Sequence, residues 1–187
     1  GSEPDVLQGT KFTGVSWLRD GSGFVYSRYP ALESSAEAAT GTAGEGSPGQ
    51  GWDDSRQVAL HFHRLGTDPA ADPLVYAVTD HPRREPYGEI TEDGRFLVLT
   101  LQDGYETNGL YYRRLDSPGS LLDAPVARLL DAWDARHEFI GNVGDTFYVL
   151  TTRDAPRGRV VAIDLADSAP DRWRTVVPEQ AETLESV

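Results

Sequence analysis

Hydrophobic and polar residues alternate along this chain in short runs with a period of two, the spacing that puts successive side chains on opposite faces of a strand. Over 12–18, Val15 and Trp17 fall on one side and Ser16 on the other. Phe24, Tyr26 and Arg28 then oppose Val25, Ser27 and Tyr29, and Val58, Leu60 and Phe62 oppose Ala59, His61, His63 and Leu65. Two runs fold back on themselves at Asp-Gly: Asp20-Gly21, and Asp93-Gly94 inside Ile90-Thr91-Glu92-Asp93-Gly94-Arg95-Phe96-Leu97-Val98-Leu99-Thr100. A tight hairpin turn needs positive φ, and glycine supplies it at little steric cost. A weaker third copy surrounds Gly144-Asp145, between Phe139 and Leu150. One hairpin repeated three times predicts a repeat architecture.

The alternating runs sort into three sets of four. The first has strands over 12–18, 24–28, 58–65 and 74–78. The second has 88–91, 95–101, 110–115 and 126–130, and the third has 137–141, 146–152, 159–165 and 173–177. Only 121–133 is ambiguous between helix and strand. Four strands in meander order are the pattern of a propeller blade. The predicted fold is all-β: an incomplete β-propeller of three four-stranded antiparallel blades. Residues 1–10 read as a cleavage scar and lead-in, 11–80 as blade one, 81–131 as blade two and 132–178 as blade three. Residues 179–187 read as a lead-in to a further blade, the pattern a deliberate three-blade excision would leave. Trp17, Phe24, Tyr26, Phe96, Phe147 and Trp173 are among the residues expected to drive packing.

Blade one owes its length to 31–51, a Gly-, Ala- and Ser-rich loop without periodicity, which cannot bury enough apolar surface to offset its own ordering. That loop contains Gly44-Glu45-Gly46-Ser47-Pro48-Gly49, formally a nucleotide-binding string. It lacks the strand before and the helix after that would make it a phosphate cradle.

The chain has 187 residues, a length suited to one domain, and a formal charge of −13. Such an acidic balance argues against nucleic-acid and anionic-membrane partners, which select basic surfaces. Cysteine is absent, so disulfide frameworks and thiol nucleophiles are excluded. No apolar run reaches the ~20 residues of a spanning helix. His61 and His63, two apart on one strand face, have the spacing of metal ligands. No third ligand accompanies them, and the reading is a solvated strand face. Asp68 and Asp72 read as turn formers. Gly14-Val15-Ser16-Trp17-Leu18 lacks the last glycine of a nucleophile elbow, and His137-Glu138 lacks the second histidine of a zinc helix. No catalytic, cofactor or metal residue is assigned.

Several phrases together resemble the propeller domain of the prolyl oligopeptidase family. They are Lys11-Phe12 with Trp17-Leu18-Arg19-Asp20-Gly21 and Phe24-Val25-Tyr26; Leu65-Gly66-Thr67-Asp68; Gly88-Glu89-Ile90-Thr91-Glu92-Asp93-Gly94-Arg95; Asn108-Gly109-Leu110-Tyr111-Tyr112; and Ile163-Asp164-Leu165 with Trp173-Arg174-Thr175-Val176-Val177-Pro178-Glu179. The resemblance implies three central blades of a seven-bladed propeller. The parent would be a cytoplasmic serine peptidase that cuts short peptides after proline. Its Ser-Asp-His triad belongs to a separate α/β-hydrolase domain that this chain lacks. The chain would therefore gate substrate without catalysing, and it needs no cofactor. Its partners would be the hydrolase domain, the remaining blades and short proline-containing peptides reached through the parent.

The same resemblance puts Gln102-Asp103-Gly104-Tyr105 in a cavity-facing loop and Glu85 near a specificity pocket. Mammalian members carry Arg and Cys where this chain has Gln102 and Tyr105. Open blade faces at either end also suggest self-association. Two alternatives remain: a non-catalytic propeller interaction module, or a segment of a related peptidase such as oligopeptidase B or a dipeptidyl peptidase. Trp52-Asp53 and Trp133-Asp134 fall in loops, so the strand-end signature of WD propellers is not met.

Overall fold

The computed structural model describes residues 6–7, 14–29, 58–81 and 83–184. The 31–51 loop, its glycine string, Phe12 and the last three residues lie outside these. Twelve strands form three four-stranded antiparallel sheets. The first holds β1 (Val15–Trp17), β2 (Gly23–Arg28), β3 (Ala59–Arg64) and β4 (Leu74–Ala77). The second holds β5 (Glu85–Ile90), β6 (Phe96–Gln102), β7 (Asn108–Arg114) and β8 (Val126–Leu130). The third holds β9 (His137–Val143), β10 (Thr146–Thr151), β11 (Arg159–Asp164) and β12 (Arg174–Val177). Sequence neighbours are sheet neighbours throughout.

The repeat extends beyond strand order. The third strand of each sheet slips register against the fourth at Leu60/His61, Leu110/Tyr111 and Val160/Val161, fifty residues apart at each step. Each connection from third to fourth strand also carries one short helical turn: Pro69–Ala71, α1 (Ser120–Asp123) and Pro170–Arg172. The ambiguous stretch around 121–133 thus resolves into α1 followed by β8.

β6 shows why the sheets stack. Its residues Phe96, Leu97, Val98 and Leu99 are all at most 1% exposed. A strand with one wet face alternates, whereas one buried on both faces is continuously apolar. Leu97, Leu99 and Leu101 pack with Val25, Leu60 and Val75 of the first sheet. Phe96 and Val98 point the other way, onto Phe147, Val149, Val161 and Ile163 of the third. The Phe96 and Phe147 rings meet edge to face at 5.0 Å.

One expected core residue is placed differently. Trp17 is 49% exposed and holds only an edge contact with Phe24, because β1 is a three-residue edge strand. Trp173, just before β12, packs half-buried against the cluster around Phe147 and Ile163, as expected, and its indole N–H donates to the Ser168 carbonyl.

The Asp-Gly turns sit at one end of the stack and clasp neighbouring sheets. Arg19 of the first turn donates to the Asp93 carbonyl, and Asn142 of the third sheet donates to the Asp93 carboxylate at 2.7 Å. Arg95 and Arg114 both donate to Asp145, each at 2.8 Å. The opposite end carries the loops between second and third strands and the connections between sheets.

Candidate functional site

At that opposite end, β5 presents Glu85, Tyr87 and Glu89 on one face, as period two requires. Glu85 lies directly across from Gln102 in the β5–β6 register. The Tyr87 hydroxyl donates to Glu85 at 2.9 Å. Burial, then this carboxylate, pushes the Tyr87 phenol well above its ordinary range. Beyond Gln102 the loop turns at Gly104, whose φ of 81° suits glycine, and holds Tyr105 out in solvent, 96% exposed.

A cleft of about 570 Å³ opens between this end of the second sheet and the start of β9. Tyr87, Glu89, Gln102 and Tyr105 line one side, and Arg136, His137, Glu138 and Phe139 line the other. Gln102 and Tyr105 are therefore brought into one cavity. Glu85 is not in its lining but stands behind Tyr87.

The two walls are fixed by Asn108. Its carboxamide accepts from the His137 amide at 2.7 Å and donates to the His137 carbonyl at 2.9 Å. One side chain thus imitates a strand partner across the gap between sheets. The Thr151 hydroxyl lies 2.9 Å from His137 Nδ1. Burial takes the His137 imidazole down to about 4, so it is uncharged at neutral pH. Thr151 and His137 are 0% and 3% exposed, which leaves this hydroxyl–imidazole pair out of reach of a substrate carbonyl.

The carboxylates of the cleft are unevenly matched. Glu138 pairs with Arg136 at 3.6 Å. On the rim, Asp103 faces His81 at 3.7 Å and Arg83 at 3.8 Å. Among the described residues, nothing hydrogen-bonds or ion-pairs with Glu89, and partial burial raises its carboxyl above the usual range. What such a cavity can do is hold a polar or cationic chain against two tyrosines.

The histidines of β3 are not a solvated face. His63 is fully buried, and its Nδ1 lies 2.9 Å from Asp72. Tyr26 donates to the same carboxylate at 2.8 Å, and burial with that contact pushes its phenol up to about 12. Asp72 is thus an internal acceptor closing the β3–β4 hairpin, while Asp68 caps the turn as expected by accepting from the Ala70 amide. Among the described residues, no three His, Asp or Glu side chains converge as metal ligands.

Comparison with known proteins bears on the whole architecture. The family model described as prolyl oligopeptidase, N-terminal beta-propeller domain, matches residues 2–187. The chain belongs to the prolyl oligopeptidase family. Prolyl oligopeptidase A of Amanita bisporigera is 31% identical over 88% of this chain and 21% of its own length. Prolyl endopeptidase of Elizabethkingia meningoseptica is 30% identical over 97% of this chain and 23% of its own. Prolyl oligopeptidase B of Galerina marginata, solved with a 25mer macrocyclization substrate, superposes with a TM-score of 0.76 at 28% identity. That match covers 93% of this chain and 22% of the larger one. The chain spans about a quarter or less of the curated relatives it matches. The three sheets are propeller blades of a serine-peptidase family whose members carry a separate catalytic domain.

Tyr87 was not singled out in the sequence, and Glu89, Asn108 and His137 entered there only within longer phrases, with no site role assigned. The signal for the first two was the Glu85-Tyr87-Glu89 alternation, interrupted by Pro86. No local signal marks Asn108 and His137, whose contact joins separate blades. No helix among the described residues is long and apolar enough to cross a membrane.

Proposed function

We propose that this chain is a substrate-gating propeller segment of a cytoplasmic serine peptidase that hydrolyses short peptides after proline, with no catalytic activity of its own. The observation that carries this is the cleft joining Gln102 and Tyr105 of blade two to the first strand of blade three. In this reading Gln102 and Tyr105 touch the peptide, and Glu85 holds Tyr87 in place. Its partners are the hydrolase domain and further blades. Alone, the chain self-associates through apolar surface such as Trp17, at 49% exposed, and Val143, at 70%.

The test incubates the purified chain with a fluorogenic Gly-Pro substrate and titrates it with a blocked, neutral proline-containing peptide under amide NMR, with sedimentation of the same sample. The expected result is no turnover, shifts at Gln102, Tyr105 and Glu138, and a particle heavier than a monomer. Turnover abolished by a serine-directed inhibitor, or peptide shifts that avoid the cleft, would overturn the gating reading. A clean monomer at high concentration would remove the self-association.

A further inference from the structure

The Gln102–Tyr105 cleft is charged as well as open, and its charge has one sign left over. Among the described residues, Glu89 on its wall has no hydrogen-bond or ion-pair partner, and Glu106 in the adjoining loop has none. Glu138 is matched by Arg136, and Glu85 behind the wall is bonded only by the neutral Tyr87 hydroxyl. Two described cations nearby are spoken for: Arg136 by Glu138, and Arg83 by Asp103. The histidine on the far wall carries no charge at neutral pH. Tyr87 lies beside Glu89 on one face of β5, and both line the cleft with Tyr105; a cation held against an aromatic face and a carboxylate gains from both. The volume of about 570 Å³ falls within the range of sites that take small ligands.

We propose that this cleft selects peptides by charge, favouring a lysine or arginine side chain seated beside Tyr87 against Glu89. The proposal rests on the reading of the cleft as a peptide site and adds the class of peptide it takes. Glu89 is the specificity-determining residue, and Tyr87, two residues before it on the same strand face, supplies an aromatic face. Acidic peptides are disfavoured, because a carboxylate there would meet Glu89, and Arg136, the one described cation of the lining, is paired with Glu138.

The experiment titrates the 187-residue chain with three blocked proline-containing peptides that differ at one position: Lys, Gln or Glu. Dissociation constants come from amide shifts at Gln102, Tyr105 and Glu138. The expected order is Lys over Gln over Glu, with about fivefold at the first step, the size of one or two partly screened charge contacts. Raising NaCl to about 0.5 M compresses the spread. Glu89→Gln, a change of charge without change of shape, cuts the Lys preference to about twofold or less.

Equal affinity for all three peptides, with shifts still at the cleft, overturns the charge selection and leaves the peptide site standing. A Lys preference unchanged in Glu89→Gln overturns the assignment to this cleft. If no peptide shifts the cleft residues, the gating reading falls, and the selection falls with it.

Discussion

At the scale of single residues, His137 couples the inter-blade contact to pH. Its imidazole is buried and takes a hydroxyl contact on Nδ1, and burial lowers its proton affinity to about 4 from an ordinary 6.5. Between those values the unfolded chain binds a proton that the folded chain refuses. Stability attributed to this group is therefore complete above pH ~6.5 and is lost as pH falls towards 4, by about 3 kcal/mol for a shift of this size. Asp93, Asp131 and Asp145, whose carboxyls are held below the usual range, lose their contributions lower still. Urea midpoints measured from pH 7 to 4 should fall in wild type, and His137→Gln should flatten that slope. An equal slope in both would show that another group dominates. The sequence offered no sign of this role, because the burial comes from blade three closing on blade two through Asn108, 29 residues away. The same applies to Asp72, legible as a turn residue but not as the acceptor that buries His63.

Elements were far more legible than contacts. Short alternating or apolar runs bounded by turn residues located all twelve strands, because both patterns are local properties of the sequence. Edges failed where a local rule had a non-local exception. β5 begins at Glu85 rather than 88 because Pro86 is tolerated in a strand that pairs on one side only. The Asp-Gly turns allow a graded test of element stability. Gly21 and Gly94 both have positive φ, 68° and 73°, so an alanine at either costs about 1 kcal/mol of backbone strain. A Cβ at Gly21 meets open space, whereas one at Gly94 comes within 3.3 Å of Arg19 Cβ. That crowding presses on the residue that clasps Asp93. Gly94→Ala should therefore lower Tm more than Gly21→Ala, by a further 1 to 3 °C or about half a kcal/mol for a chain of this size. Equal losses would mean that the Arg19 clasp is not felt by the fold.

Across the whole molecule, the packing is a row in which blade two touches both neighbours and the outer two are joined through it. The first cluster holds Val25, Leu60, Leu97, Leu99 and Tyr111, the second Phe96, Val98, Leu110, Phe147 and Ile163. β6 contributes to both by alternate residues, so the two interfaces share a strand but no side chain. Stability in such a row is close to a sum of blade terms and nearest-neighbour interfaces. Leu99→Ala and Phe147→Ala each remove a fully buried side chain and should cost roughly 2–5 kcal/mol, at different interfaces. Hydrogen exchange separates them. Leu99→Ala should release the amides of β2 and β3 first while β10 and β11 keep their protection, and Phe147→Ala should do the reverse. The double variant should approach the sum of the singles, because the sites lie on opposite sides of β6. If either substitution instead releases all three sheets together, the blades unfold as one cooperative unit and the nearest-neighbour description does not hold.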